Sequence, residues 1–211
     1  MVVVGAGQGG LSTAYHLARL GFVREQDFVV LDGDEGPGGA WRHRWPSLTV
    51  GTTHRVHDLP GLHFPGRGEE PAAEAVPAYF AEYERRFALP VHRPVRVTAV
   101  RRDGDGLRIE TSAGDWTARA VVNATGTWTR PFVPHHPGQE RFGGRQLHTV
   151  DYRSAAEFAG QSVVVVGGGA SAVQLLAEIS EVAAATTWVT RRPPMWREGP
   201  FDEADGRAAA A

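Results

Sequence analysis

The sequence predicts an α/β fold made of two successive βαβ units, and three observations predict it. Two valine-rich runs, Val2–Val4 and Ser162–Val166, each end on a glycine-rich loop, residues 5–10 and 167–172. Each loop leads into apolar residues at helical spacing, and each helix into another short apolar run. β-branched runs closed by glycine read as buried strands, and recurrence every three or four residues reads as a helix.

In the first unit, Met1–Val4 is the opening strand. Leu11, Ala14, Leu17 and Ala18 form one face of the helix, and Gly21 is placed to end it. Phe28–Leu31 is the second strand, closing on Asp32. Residues 33–70 are rich in Gly, Pro, His and Arg without a period, which predicts a working loop or lid. A helix is expected to begin near Pro77, a residue suited to a first turn, with Val76, Phe80, Tyr83 and Phe87 as its apolar face. Alternating runs at 95–101, 106–111 and 116–122, parted by glycine-containing turns, predict a β-meander. It ends on Asn123-Ala124-Thr125-Gly126.

Pro131, Pro134 and Pro137 mark a linker, so the chain divides into 1–128 and 129–211. In the second unit Ser162–Val166 reads as a buried strand, and a helix runs through Val173, Leu176 and Ile179. Thr186–Thr190 is the next strand, ending on Arg191-Arg192. Residues 193–211 are proline-rich, then acidic, then polyalanine, with no legible element beyond a helix start.

Composition narrows the function. The net charge of −2 offers no field to recruit nucleic acid or an acidic membrane. All basic residues are arginine, which reads as genome composition. Cysteine is absent, which excludes disulfides, thiolate metal sites and a redox CxxC within this sequence. No apolar run approaches the roughly 20 residues of a membrane span, and no basic leader precedes Val2, so a cytoplasmic protein is expected. His43, His54, His57 and His63 share one loop, but their spacing lacks a metal-ligand register, so no metal is expected.

The chemistry sits in the glycine loops. Gly5, Gly7 and Gly10 form G-x-G-x-x-G between strand and helix, with Gly9 beside them and Asp32 at the end of the next strand. The first glycine allows the tight turn, the second admits a pyrophosphate, the third lets helix pack on strand, and the acid takes a ribose diol. Gly167, Gly169 and Ala172 repeat the pattern as G-x-G-x-x-A, with Ser171 in the loop. There the strand ends on Arg191-Arg192 instead of an acid, and guanidinium suits a ribose 2′-phosphate, so this unit should prefer NADPH to NADH. Two Rossmann-like dinucleotide sites imply that two dinucleotides meet, and a flavin paired with a nicotinamide exchanges hydride readily.

Several further segments carry a family resemblance spanning about residues 2–192. Gly38-Gly39-Ala40-Trp41-Arg42 resembles a GG-x-W-R segment, and Trp45-Pro46-Ser47-Leu48 an aromatic-Pro-small-Leu stretch beside a flavin ring. Asn123–Gly126 resembles an ATG segment where the chain leaves a flavin domain. Phe142, Gly144, His148 and Tyr152 resemble the pattern F-x-G-x-x-x-H-x-x-x-[WYF]. Together they are similar to the flavin-containing monooxygenases, the wider group with Baeyer–Villiger monooxygenases and microbial N-hydroxylases. Tyr152 at the end of the pattern leans toward the flavin-containing or N-hydroxylating branch.

The resemblance implies a glutathione-reductase-like pair of domains, FAD on the first and NADPH on the second. Gly39, Trp41, Thr125 and Gly126 would join the first cofactor site. His148 would position cofactor between the domains. NADPH would reduce FAD, and O₂ would be activated as a flavin hydroperoxide for transfer to a small-molecule N, S or ketone. Expected partners are therefore that substrate and O₂, with self-association allowed and neither nucleic acid nor membrane. Relatives usually run longer, so the sequence is expected to be an N-terminal portion whose flavin domain lacks its C-terminal return. Two alternatives stand beside this. One is an FAD and NAD(P)H oxidoreductase serving a quinone or protein acceptor; the other is a truncated cofactor-binding protein without turnover.

Overall fold

The structure is a computed structural model that describes residues 1–53 and 56–194. His54 and the expected helix start beyond residue 194 lie outside those residues.

Strand β1 (Val2–Val4) leads into helix α1 (Gln8–Arg19) and strand β2 (Val29–Leu31). Helix α2 (Ala72–Arg86) and strand β3 (Val91–His92) follow a long segment holding two 3-10 turns, Gly39–His43 and Val50–Thr52. Then come β4 (Val97–Asp103), β5 (Gly106–Thr111), β6 (Trp116–Ala118) and β7 (Val121–Asn123). After irregular chain, β8 (Ser162–Val166), α3 (Ala170–Ser180) and β9 (Ala185–Val189) complete the described elements.

The first unit is a parallel sheet in the order β3-β2-β1-β7. Its central register pairs Val3 with Val30 on one side and with Val122 on the other. Alternate strand residues point to opposite faces. Val3 and Val30 meet Leu11, Ala14 and Leu17 of α1 and Val76, Phe80 and Tyr83 of α2. Val2, Val4, Val29 and Leu31 meet Val95 and Ile109, under the antiparallel β4-β5-β6 meander. Being covered on both faces is why these strands are unbroken apolar runs. Helix α1 ends as expected at Gly21, whose φ of 91° is the left-handed conformation glycine tolerates. Phe22 N–H donates to Leu17 O and Gly21 N–H to Ala18 O, closing a Schellman motif.

Three expectations change. Pro77 does not begin α2 but lies inside it, and Pro71 stands at the N-cap. Leu48 O accepts the Ala72 N–H at 2.8 Å and so fixes the earlier start. The Pro77 ring then serves as a packing surface: a Cβ on Gly38 would stand 2.6 Å from Pro77 Cγ. The third meander run splits at Arg119-Ala120, because β7 leaves to pair with β1 while β6 stays on β5. Strand β8 is not buried as its valines suggest: Val164 is 57% exposed and Val166 60%. Among the described residues β8 pairs with β9 alone and α3 packs on one face, so the other face stays open.

Candidate functional site

Both glycine loops adopt the same local geometry. Gly5 has φ 99° and Gly167 φ 136°, each turning the chain from strand toward helix. Gly7 caps α1 at φ −75°, ψ −173°, and Gly169 caps α3 at φ −89°, ψ 174°. Neither cap is made by a side chain, and neither helix has an acid in its first turn. Each leaves N–H groups and partial positive charge for an incoming anion. A Cβ added at Gly7 or at Gly169 would meet nothing within 4 Å, so both second glycines border open space. A dinucleotide pyrophosphate fits such a cradle, and a side chain would fill it.

The outer glycines answer to packing. A Cβ on Gly5 would lie 2.4 Å from Ala124 O, and one on Gly10 1.8 Å from Gly5 O. In the second loop the corresponding approach is relaxed, and a Cβ on Gly167 would lie 3.6 Å from Ala172 Cβ. This is why alanine serves there as the third residue. Gly9 borders Ala124, and a Cβ on Gly39 would stand 3.0 Å from Gly7 Cα. The loop, the GG-x-W-R segment and the ATG segment therefore converge. Asn123 Oδ1 accepts from Thr125 N at 3.2 Å and Thr125 Oγ1 at 2.9 Å, and Thr125 and Gly126 are exposed at the rim.

Asp32 is buried at the end of β2, but half of its carboxylate is already engaged. Arg93 Nε donates to Asp32 Oδ2 at 2.8 Å, and Arg93 Nη1 and Nη2 donate to the two Glu84 oxygens at 2.7 Å each. Burial opposes the Arg93 charge, but Glu84 first and then Asp32 outweigh it and hold the guanidinium above its ordinary value. Neither Arg93 nor Glu84 was expected from sequence. Their link to Asp32 depends on β3, a strand of only two residues that no periodicity reveals.

Between the units lies a cavity of about 160 Å³, lined by Trp41, Arg44, Leu48, Thr53, Ala170, Ser171 and Gln174. Trp41 and Ser171 thus share one crevice. Arg44 sits 4.6 Å from the Trp128 ring centroid, 5.7 Å from Trp41 and 5.9 Å from Trp45, a cation held on aromatic faces. Burial lowers its pKa, and its Nε is buried without a hydrogen bond among the described residues. Arg191 and Arg192 follow β9 and are exposed.

His148 does not line that cavity. It caps the short turn Thr149–Asp151, its Nδ1 accepting the Val150 N–H at 3.3 Å. The turn delivers Tyr152, which is buried and donates to Glu178 Oε2 at 2.9 Å. Trp45 Nε1 donates to Glu178 Oε1 at 2.7 Å and Ser47 Oγ to Oε2 at 2.8 Å. Burial first, and then the hydrogen bond to Glu178, push the Tyr152 phenol above its ordinary value. Glu178 went unread in the sequence, although Ser171, Gln174 and Glu178 form a polar row along a mostly apolar helix. In the loop histidines, His43 pairs with Asp34 and His63 with Asp58.

Comparison with known proteins agrees with this geometry. The pyridine nucleotide-disulphide oxidoreductase family model matches residues 2–201. A flavin-containing monooxygenase from Stenotrophomonas maltophilia has a similar structure, with TM-score 0.85 and 44% identity, over 98% of this chain and 61% of that one. The uncharacterized oxidoreductase CzcO of Bacillus subtilis is 30% identical over 85% of this chain and 51% of its own length. A Baeyer–Villiger monooxygenase of Streptomyces coelicolor is 33% identical over 93% of this chain and 38% of its own. The chain thus spans about half the length of the CzcO relative. No helix among the described residues is long and apolar enough to cross a membrane. With two glycine loops of matched local geometry, and likeness along nearly all of its length, the chain belongs to the pyridine nucleotide-disulphide oxidoreductase family, within its flavin-monooxygenase group.

Proposed function

We propose that this chain is the dinucleotide-binding part of an NADPH-dependent flavoprotein monooxygenase acting on a small-molecule N, S or ketone. The observation that carries the reading is the pair of cradles, Gly7 and Gly169, each open where a pyrophosphate would lie and each capped by backbone alone. Residues 1–128 would hold FAD and residues 129–211 NADPH. When bound, the pair supplies hydride transfer and activation of O₂.

The chain's own residues bind, orient and enclose. Gly7, Gly9 and the start of α1 receive the first pyrophosphate, and Gly5 and Gly10 keep that loop close to Ala124. Asp32 takes the adenosine ribose through its remaining oxygen. Gly39, Trp41, Thr125 and Gly126 border the same cofactor. Gly169, Ser171 and Ala172 receive the second pyrophosphate, and Arg191 and Arg192 favour a 2′-phosphate. His148 positions cofactor indirectly, by shaping the turn that seats Tyr152. Trp41, in the wall of the crevice, excludes water from the meeting point of the two cofactors. Without cysteine, this sequence holds no dithiol to relay electrons, which favours oxygen over an internal disulphide as acceptor.

The first test is a flavin titration of the purified chain. Saturable FAD binding, with FMN much weaker, is the expected result. Equal affinity for FMN and FAD would refute the first cradle, because FMN lacks the adenylate that the loop and Asp32 are proposed to hold.

A further inference from the structure

Asp32, Arg93 and Glu84 come from three separate places: the end of β2, the residue after β3, and the last turn of α2. Their side chains are 11%, 10% and 13% exposed. Arg93 spends its fork on Glu84 and its Nε on Asp32 Oδ2, so one guanidinium orients two carboxylates. Asp32 Oδ1 accepts no bond among the described residues, and it is not sealed from solvent. The backbone around it is equally fixed: Asp32 N–H donates to His92 O at 3.0 Å, and Val95 N–H donates to Asp32 O at 2.7 Å. An acid tied this way cannot rotate, and its free oxygen has one direction.

We propose that Arg93 is the positioning residue of the first cradle: anchored by Glu84, it fixes the Asp32 carboxylate so that Oδ1 is presented to the adenosine diol. The proposal rests on the reading that this cradle takes an adenine dinucleotide. Without Arg93 the Asp32 and Glu84 carboxylates lose the guanidinium they share, and the acid is free to turn away. Turned away, it stops discriminating a diol from its absence. Lysine would keep the charge, but a point charge cannot hold Glu84 with a fork and Asp32 at once.

The test compares ADP with 2′,3′-dideoxy-ADP by calorimetric titration on the full chain, with folding checked by circular dichroism. Wild type should bind ADP roughly tenfold or more tighter than the dideoxy probe, the usual loss when a charged hydrogen-bonding group goes unpaired. In Arg93→Met the ratio should collapse to about one, and in Arg93→Lys it should be intermediate. Glu84→Gln, which leaves Arg93 in place but halves its anchor, should lower the ratio and serves where Arg93→Met does not fold. A folded Arg93→Met, or Glu84→Gln, that keeps the wild-type ratio overturns the positioning role while leaving the cradle assignment intact. A wild-type ratio of one, by contrast, removes the ribose role of Asp32 and with it the reading on which the proposal stands.

Discussion

Gly7 and Gly10 are three positions apart in one motif and answer to different constraints. Gly7 has an ordinary backbone conformation and open space where a Cβ would go, so Gly7→Ala should fold like wild type and lose FAD binding, because the methyl occupies the proposed pyrophosphate position. Gly10→Ala would set a carbon 1.8 Å from Gly5 O, a backbone atom that no rotamer change relieves. It should destabilise the fold by about 3 kcal/mol or more. Thermal melts beside flavin titrations of the two variants check this, and the reverse pattern would show that Gly7 is a packing glycine. Arg191 is exposed just after β9, and its side chain has no hydrogen bond or ion pair among the described residues that would confuse its removal. Arg191→Ala should weaken NADPH by about 1.5–3 kcal/mol and leave NADH nearly unchanged. Equal losses for the two would show that it does not read the 2′-phosphate.

At the scale of elements, what was legible in the sequence was whatever local pattern enforces. Both glycine loops, α1 with its Gly21 stop, and the meander follow from residue periods and turn chemistry. What was missed depends on partners distant in sequence. Pro77 reads as a helix start only until Leu48 is known to fix Ala72. Arg93 reads as a loop arginine until β3 lays it beside Asp32. The segment 33–70 reads as a lid, yet part of it is bolted to α2. Tyr79 OH accepts the Leu59 N–H at 2.7 Å and donates to Leu62 O at 2.6 Å, and Tyr83 OH donates to Pro60 O at 2.8 Å. Burial raises both phenols above their ordinary value of 10.0. The folded chain therefore favours the neutral phenol. That stability is fully present below about pH 10, the unfolded value, and is lost as pH rises through the raised folded values. Alkaline titration followed by tyrosinate absorbance should show these tyrosines ionising together with unfolding. A reversible ionisation near pH 10 in the folded chain would show that the phenols are not buried as described. Tyr79→Phe removes both bonds to the segment and should cost about 1–3 kcal/mol, the Leu59 N–H being left without its partner.

For the whole molecule, the question is what sets one cradle against the other. The interface is a small apolar cluster, Trp45, Leu48 and Ala72 from the first unit against Tyr152 and Ile179 from the second. Apolar contact alone fixes no register, because it is non-directional. The directional element is Glu178, whose carboxylate accepts from Trp45, Ser47 and Tyr152, while Gln174 Nε2 donates to Thr52 O at 3.0 Å one turn away. Two motif segments read separately in the sequence, the Trp45–Leu48 stretch and the pattern ending on Tyr152, thus meet on one side chain of α3. Glu178→Ala would leave the indole N–H of a Trp45 that is 1% exposed and the phenol of Tyr152 without acceptors. The expected cost is on the order of 3 kcal/mol. It should fall on the interface and not on either unit, so denaturant unfolding should separate into two transitions, and protease should cut the chain between residues 124 and 148 faster. Glu178→Gln tests which property matters. Its carbonyl can keep the Trp45 bond, and its amide can donate to the two hydroxyls, which rotate to accept. It should therefore restore a single transition at a cost of about 1 kcal/mol. If Glu178→Gln behaves like Glu178→Ala, the negative charge and not the hydrogen-bond geometry joins the units. If Glu178→Ala unfolds in one step at the wild-type midpoint, the two cradles are held in register by the apolar cluster alone.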